Sequence, residues 1–279
     1  MSARRGVALI QALVIVAALA AVSAALMLRA GQGVARLDAR FRADQAALYL
    51  DSGMDMVRDL LPDGAVHRRQ AWAQPRADML IDRGTLAWQI DDLQGRFDVN
   101  RLANDESGAW RAAFVQLATG EGLSPAAAAA MADALSVAPV LHPRALRALA
   151  GDGGAALERL LPLLAALPEP APFNLNTLSP EVLAVLAPAV PESARDRVLR
   201  HLGTEPAASP EAFRDWAERT LGGEIAALLA TLPLGVTSTS FEARLEARLD
   251  TLVLRRSGIL STGGAQGRGA LILSMPGPD

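Results

Sequence analysis

The sequence predicts an α+β fold in which a long N-terminal helix packs on a small antiparallel sheet, with a large all-helical segment inserted between the strands. Three observations lead to this prediction. An apolar run over residues 7–28 continues as an amphipathic helical pattern to Leu61. Strand-like alternation of apolar and polar residues occurs at residues 85–90 and resumes at Phe241. Between these strands, residues 107–232 contain one helical pattern after another.

The apolar run predicts a transmembrane helix at residues 7–28. At about 1.5 Å per residue the run spans roughly 33 Å, which matches a bilayer core of about 30 Å. Arg4 and Arg5 precede it and are expected to stay cytoplasmic under the positive-inside rule. The alternative is a secretory signal cleaved in the small-residue stretch at 21–25. The length of the run, and the helical pattern that follows it, favour a helix that is retained.

The helical pattern beyond the apolar run predicts an amphipathic stem at residues 29–61. Apolar residues recur at i, i+4, i+7 and i+11 from Leu50 to Leu61, and charged residues occupy the opposite face. Pro62 and Gly64 end the pattern. We therefore expect one continuous helix of about 55 residues, half in lipid and half packed on a soluble domain.

Period-two alternation predicts the strands that pack against this helix. After residues 85–90, Gly95 is expected to supply a turn, and Phe97 and Val99 resume the alternation. Three C-terminal stretches are also predicted to be strands: 241–249, 252–260 and 270–274.

The composition and motifs argue against most site chemistry. The chain has no cysteine and only three histidines, so neither a disulfide framework nor a thiolate zinc site is expected. The sequence contains no nucleophile elbow, Walker loop or dinucleotide fingerprint, and we predict that the protein is not an enzyme. A secreted enzyme with a cleaved signal is therefore disfavoured. The net charge of −3 gives no support to general nucleic-acid binding.

Two motifs raise the question of a ligand. Asp98, Asn100, Asp105 and Glu106 lie in an oxygen-rich stretch and are candidates for a calcium site, since calcium takes oxygen ligands from flexible loops. The alternative is a solvated loop, and we expect no cofactor. The pattern around Asn174 resembles the opening of a helix-hairpin-helix DNA-binding module, which makes a membrane-anchored, competence-like DNA-binding protein the alternative function. The hairpin that follows lacks the glycine needed for phosphate contact, so we predict a capped structural helix pair.

The N-terminus resembles a type IV prepilin signal, which is a short basic leader ending in glycine before an apolar stretch. The resemblance implies that a prepilin peptidase cleaves between Gly6 and Val7 and methylates the new amino group of Val7. Gln11 would then be the fifth mature residue, where most pilins carry glutamate. Lack of that glutamate is typical of the K-type minor pseudopilins of type II secretion, which lie at the tip of the pseudopilus.

The order of four further stretches also resembles the K-type family, within the type IV pilin-like superfamily. These stretches are residues 45–61, 85–102, 167–188 and 236–276. The resemblance implies a single-pass inner-membrane protein with a cytoplasmic N-terminus and a periplasmic head, which acts as a structural component of protein export across the outer membrane. It implies as partners the I-, J- and H-type minor pseudopilins, the prepilin peptidase, the secretin and exported proteins, and no nucleic acid.

The resemblance and the patterns together predict five segments. They are a leader at 1–6, a transmembrane helix at 7–28, a stem helix at 29–61, a pilin-like α+β domain at 62–104 and 233–279, and an inserted helical domain at 105–232.

Overall fold

The computed structural model describes residues 3–262 and 269–277, with side chains from Leu13 onward except that of Asp152. The helix α1 runs from Ala3 to Asp59, a length of 57 residues. It passes through Gly31 and Gly33 as regular helix. The single long helix that the sequence predicts is confirmed.

Seven further α-helices are described, and in the sequence all of them lie between the strand that ends at Asp92 and the strand that begins at Ser240. They are α2 (Ala109–Gly120), α3 (Pro125–Val137), α4 (Gly154–Leu160), α5 (Pro180–Leu186), α6 (Glu192–Thr204), α7 (Pro210–Leu221) and α8 (Gly223–Ala230). Short 3₁₀ helices connect them or precede them, at Ala71–Ala73, Val99–Asn104, Pro143–Leu149, Gly151–Gly153 and Leu161–Leu163. Ser124, Ser179 and Ser209 cap α3, α5 and α7, and each side chain accepts a hydrogen bond from the third backbone N–H after it. In all three helices a proline follows the cap, at the position where its missing N–H costs nothing.

Five of the described strands form an antiparallel sheet. In chain order they are β1 (Arg76–Ile81), β2 (Gly84–Asp92), β7 (Ser240–Leu249), β8 (Leu252–Ser261) and β9 (Ala270–Pro276), and their order in the sheet is the same. The three C-terminal strands predicted from the alternation are confirmed. The edge strand β1 was not predicted from the sequence, because its alternation is interrupted by Asp78, at φ 58°, and by a register shift.

The helix α1 packs on one face of this sheet. Phe241, Leu245 and Leu249 alternate along β7 and are buried on that face together with Leu50 and Val57 of the helix. A stripe of apolar residues on a helix and the alternate residues of a strand have the matching geometry for such a layer. The predicted α+β architecture, with a long helix on a small antiparallel sheet, is confirmed.

The helical segment meets the other face of the sheet near one end. Leu93, Ala165, Leu167 and Ile259 form a small apolar cluster that joins the sheet to the segment between α4 and α5. Most of the buried residues of the helices belong to a separate, larger cluster around Phe97, which packs its own core. The domain boundaries themselves remain a prediction.

The stretch after Gly95 differs from its prediction. Phe97 and Asp98 form a two-residue strand, β3, that pairs in parallel with β4 (Leu164–Ala165) instead of returning along β2. Val99 begins a 3₁₀ helix, because the Asp98 carboxylate accepts a hydrogen bond from the N–H of Asn100 and caps it. Phe97 therefore lies in a short strand as expected, but the expected continuation of the strand at Val99 is wrong. Both side chains are apolar because both are buried in the helical core.

A second short parallel pair joins the middle of the helical segment to its C-terminal end. β5 (Phe173–Asn174), between α4 and α5, lies beside β6 (Leu234–Gly235), which follows α8. It brings Asn174 next to the chain that leads into β7.

Candidate assembly surface and head junction

The first part of α1 projects away from the head. Its large apolar side chains from Leu13 to Phe41 are between 57% and 75% exposed, and partial burial begins at Arg42. Among the described residues, α1 alone is long and apolar enough to cross a membrane, judged by length and composition. From Leu13 to Phe41 the helix extends over about 42 Å.

An apolar stripe continues on the stem where the helix reaches the head. Val34, Leu37, Phe41 and Leu48 are exposed, and their spacing of three, four and seven residues places them on one face. Leu50, which is buried against the sheet, lies about 200° around the helix from Leu48. The stem therefore has one apolar face packed on its own head and an opposite apolar face that another helix could cover.

The residues of the implied processing site begin this same helix. The backbone of Gly6, Val7 and Gln11 lies within α1, but their side chains lie outside the described set. Cleavage after Gly6, methylation of Val7 and the role of Gln11 remain predictions.

A buried polar junction holds the helical segment to the sheet. Asn174 Nδ2 donates to Asp92 Oδ2 (2.7 Å), to Ser238 Oγ (2.9 Å) and to the carbonyl of Val66 (3.1 Å). Thr177 and Ser238 also donate their hydroxyls to Asp92 Oδ2, at 2.6 and 2.7 Å. Burial raises the pKa of Asp92, and the hydrogen bonds that it accepts oppose this rise. Because a buried polar group is costly when unpaired, these bonds hold the segments that contain Val66, Asp92, Asn174 and Ser238 in one arrangement.

The second asparagine of the same motif is also structural. Asn176 Oδ1 accepts from the N–H of Ala207 (2.8 Å) and its Nδ2 donates to the carbonyl of Ala207 (3.0 Å). Asn174 and Asn176 are both buried. The motif is a structural helix entry, as predicted, but its partners Asp92 and Ser238 are distant in sequence, and no sequence pattern indicated that they would contact it.

The four calcium candidates do not fit a cation site. Asp98 Oδ1 accepts the N–H groups of Asn100 and Leu167, both at 3.1 Å, and lies in the core. The Asn100 side chain pairs with the backbone of Val140, donating to its carbonyl at 3.0 Å and accepting from its N–H at 2.8 Å. Asp105 accepts the N–H of Arg111 at 2.8 Å, and Glu106 is exposed. Within the described part of the chain, no three carboxylate, histidine or cysteine side chains are grouped so as to hold a metal.

An ionic cluster at the end of the sheet was not predicted from the sequence. Glu242 is buried. Its Oε2 accepts a hydrogen bond from Arg96 Nη1 at 3.0 Å, and its Oε1 lies 3.7 Å from His142 Nε2. Asp91 pairs with both Arg96 and Arg244. Burial of Glu242 opposes its ionisation, but the neighbouring His142 imidazole and the charges of Arg96 and Arg244 outweigh it and lower the pKa to about 2.

The geometry defines a class of protein. A helix long and apolar enough to cross a membrane continues without a break into the stem of an α+β head, which is the arrangement expected from the resemblance to pilin-like subunits. The exposed apolar face of the stem is a surface that is available for packing.

Comparisons with known proteins specify this class further. The chain is 29% identical over 238 aligned positions to the type II secretion system protein K of Pseudomonas aeruginosa, covering 70% of this chain and 72% of that protein. It is also similar to a chain in the crystal structure of the GspK–GspI–GspJ complex of the enterotoxigenic Escherichia coli type II secretion system. The TM-score is 0.72 at 18% identity, over 88% of this chain and 100% of that chain. No model of a protein family matches. The resemblance to the K-type minor pseudopilins is confirmed.

Proposed function

We propose that the chain is a minor pseudopilin at the tip of a type II secretion pseudopilus, where it serves as a structural component in protein export across the outer membrane. One observation carries the proposal. The same helix buries one apolar face on a head of the fold seen in the GspK–GspI–GspJ complex and leaves the opposite face open. The mechanism is assembly, and catalysis, a cofactor and a nucleic acid play no part in it.

Assembly follows from the two faces of α1. The exposed stripe of Val34, Leu37, Phe41 and Leu48 packs among the stems of neighbouring subunits, for which the I-, J- and H-type minor pseudopilins are the candidates. The head stays rigidly attached because the opposite face is buried in the sheet. Gln11 supplies no charge that could pair with a terminal amine above it, which suits the end of a fibre.

The proposed location is the inner membrane, crossed once. Arg4 and Arg5 hold the N-terminus in the cytoplasm, and the head lies in the periplasm, within reach of the secretin and of exported proteins. The prepilin peptidase removes residues 1–6 and methylates Val7.

Two measurements test the proposal. Affinity capture of the full-length chain, co-produced in detergent with the I- and J-type pseudopilins of its own secretion system, should recover a stoichiometric complex. Mass spectrometry of the same material should find N-methylated Val7 as the first residue. A mature start near residue 24 or 25, together with no capture of either pseudopilin, would show an ordinary secreted protein.

A further inference from the structure

A cleft lies where the helical segment meets the outer face of the sheet. Its volume is about 160 Å³. We name it the arginine cleft after the basic side chains that line it, which are Arg96, His142, Arg144, Arg147 and Arg244. Past Pro162 it opens into a second groove of about 420 Å³, which shares Arg96 and Arg244 and adds Arg68. The second groove is lined by Asp91 and Asp92 as well.

The carboxylates in the arginine cleft are already engaged. Both oxygens of Glu242 face Arg96 and His142, and the group is buried. Glu158 accepts from Arg147 through both of its oxygens at 2.8 Å, and both side chains are about half exposed at the rim. Asp91, at the adjoining groove, also pairs with Arg96 and Arg244. Three of the four arginines that line the cleft are therefore paired, and the local positive charge left over is that of Arg144, in a chain whose net charge is −3.

Arg144 is the cation with the most capacity left. Its own backbone N–H donates to His142 Nδ1 at 3.0 Å, which fixes the residue at the start of the 3₁₀ helix Pro143–Leu149. Within the described part of the chain Arg144 makes no ion pair. The hydrogen bond from Arg147 is the main cause of the lowered pKa of Glu158, and the charge of Arg144 adds to it. A half-buried guanidinium of this kind has its donors free for an incoming carboxylate.

Apolar residues also line the arginine cleft. Leu161 is half-buried and lines it together with the buried Leu93, Leu164 and Ile259. A cleft that combines an unpaired arginine with apolar side chains complements a segment in which carboxylates alternate with apolar residues. A free phosphate or a lipid headgroup would use the charge but not this apolar lining.

We propose that the arginine cleft binds an acidic, partly apolar segment of a protein partner, with a carboxylate on Arg144 and an apolar side chain on Leu161. The site is separate from the stem face through which the subunit is proposed to assemble. It would operate whether or not that assembly takes place.

The test uses the full-length protein in detergent and a fluorescein-labelled peptide of alternating glutamate and leucine. Fluorescence anisotropy should show binding that weakens as salt is raised, while the matched peptide with glutamine for glutamate binds at least about tenfold more weakly. Arg144→Gln should weaken binding of the acidic peptide about fivefold. The variant Leu161→Ser should weaken it as well. Arg219→Gln is the control, because Arg219 is exposed on α7 away from the cleft, and this variant should bind like the original chain.

Several results would overturn the proposal. They are absence of binding by a protein whose circular dichroism is unchanged, equal binding of the acidic and neutral peptides, and equal weakening by Arg144→Gln and Arg219→Gln. Displacement of the peptide by inorganic phosphate at the peptide's own concentration would identify a simple anion site and would also overturn it. Because capture of the I- and J-type pseudopilins is measured separately, failure here leaves the proposed function standing.

Discussion

The side-chain amide of Asn174 donates to the carboxylate of Asp92 at 2.7 Å, across 82 positions of sequence. Asp92 ends the strand β2, and Asn174 precedes the helix α5, so this bond connects the sheet to the helical segment. Asp92 and Asn174 are both buried, at 7% and 0% exposure. The stability of the whole head is therefore expected to depend on this hydrogen bond.

Replacing this amide by a second carboxylate should unfold the junction. Asn174→Asp would place a second carboxylate next to Asp92 in a buried site, with an expected loss of about 3–5 kcal/mol in the free energy of unfolding. Thermal melting followed by near-ultraviolet circular dichroism would measure it. Asn104→Asp is the matched control, since Asn104 is exposed and its variant should melt within a degree or two of the original chain. Equal melting of both variants would contradict the role of the junction.

The ionic cluster predicts a pH dependence. The pKa of Glu242 falls from an ordinary 4.5 to about 2. A carboxylate with a depressed pKa stabilises the fold above its unfolded-state pKa, and this contribution disappears as the pH falls from 4.5 through about 2. Glu242→Gln should therefore lower the free energy of unfolding by about 3 kcal/mol at pH 6, with the difference shrinking toward pH 2.

Chemical denaturation of the original chain and the variant at a series of pH values would measure this dependence. The groups that face Glu242 are Arg96, His142 and Arg244, and all three are kept in the variant. A constant difference between the two proteins over the whole range would show that Glu242 gains nothing from its charge.

Close packing of α1 on the sheet predicts opposite effects of one substitution at two glycines. A Cβ at Gly53 would lie 2.8 Å from Leu245 Cδ2 and 2.9 Å from Leu86 Cδ2, both in the core, whereas a Cβ at Gly31 would meet nothing within 4 Å. Gly53→Leu should destabilise the head by at least about 1–3 kcal/mol. Gly31→Leu should be neutral or raise stability by up to about 1 kcal/mol, because leucine favours the helix. Thermal melting of both variants provides the comparison.

The exposed stripe on the stem predicts a loss of assembly without a loss of folding. Phe41 is exposed and opposite the buried face, so Phe41→Glu should leave the melting temperature unchanged while affinity capture of the I- and J-type pseudopilins falls at least about tenfold. Phe41→Leu keeps the apolar surface and should retain capture. Leu50→Glu, at a buried position, should instead unfold the head. Full capture by Phe41→Glu would remove the stem stripe from the interface.

Much of the fold could be predicted because its main elements carry a regular period. The helix α1 and the strand β7 repeat their buried residues every three to four and every two positions over long stretches. Val99 was misassigned to a strand because two residues of alternation do not distinguish a strand from a 3₁₀ helix, and here the cap from Asp98 starts the helix. The candidate site was predictable only in part. The stem stripe is periodic, whereas the junction and the arginine cleft join residues whose proximity arises from tertiary folding.

The uninterrupted course of α1 has a mechanical consequence. The helix is unbroken over the described residues from Ala3 to Asp59, so a displacement along its axis, or a rotation about it, would be transmitted from the exposed apolar half to the half fixed to the sheet. The subunit would move as one rigid body, and an axial force on the N-terminal part of α1 would be transmitted to whatever the head contacts.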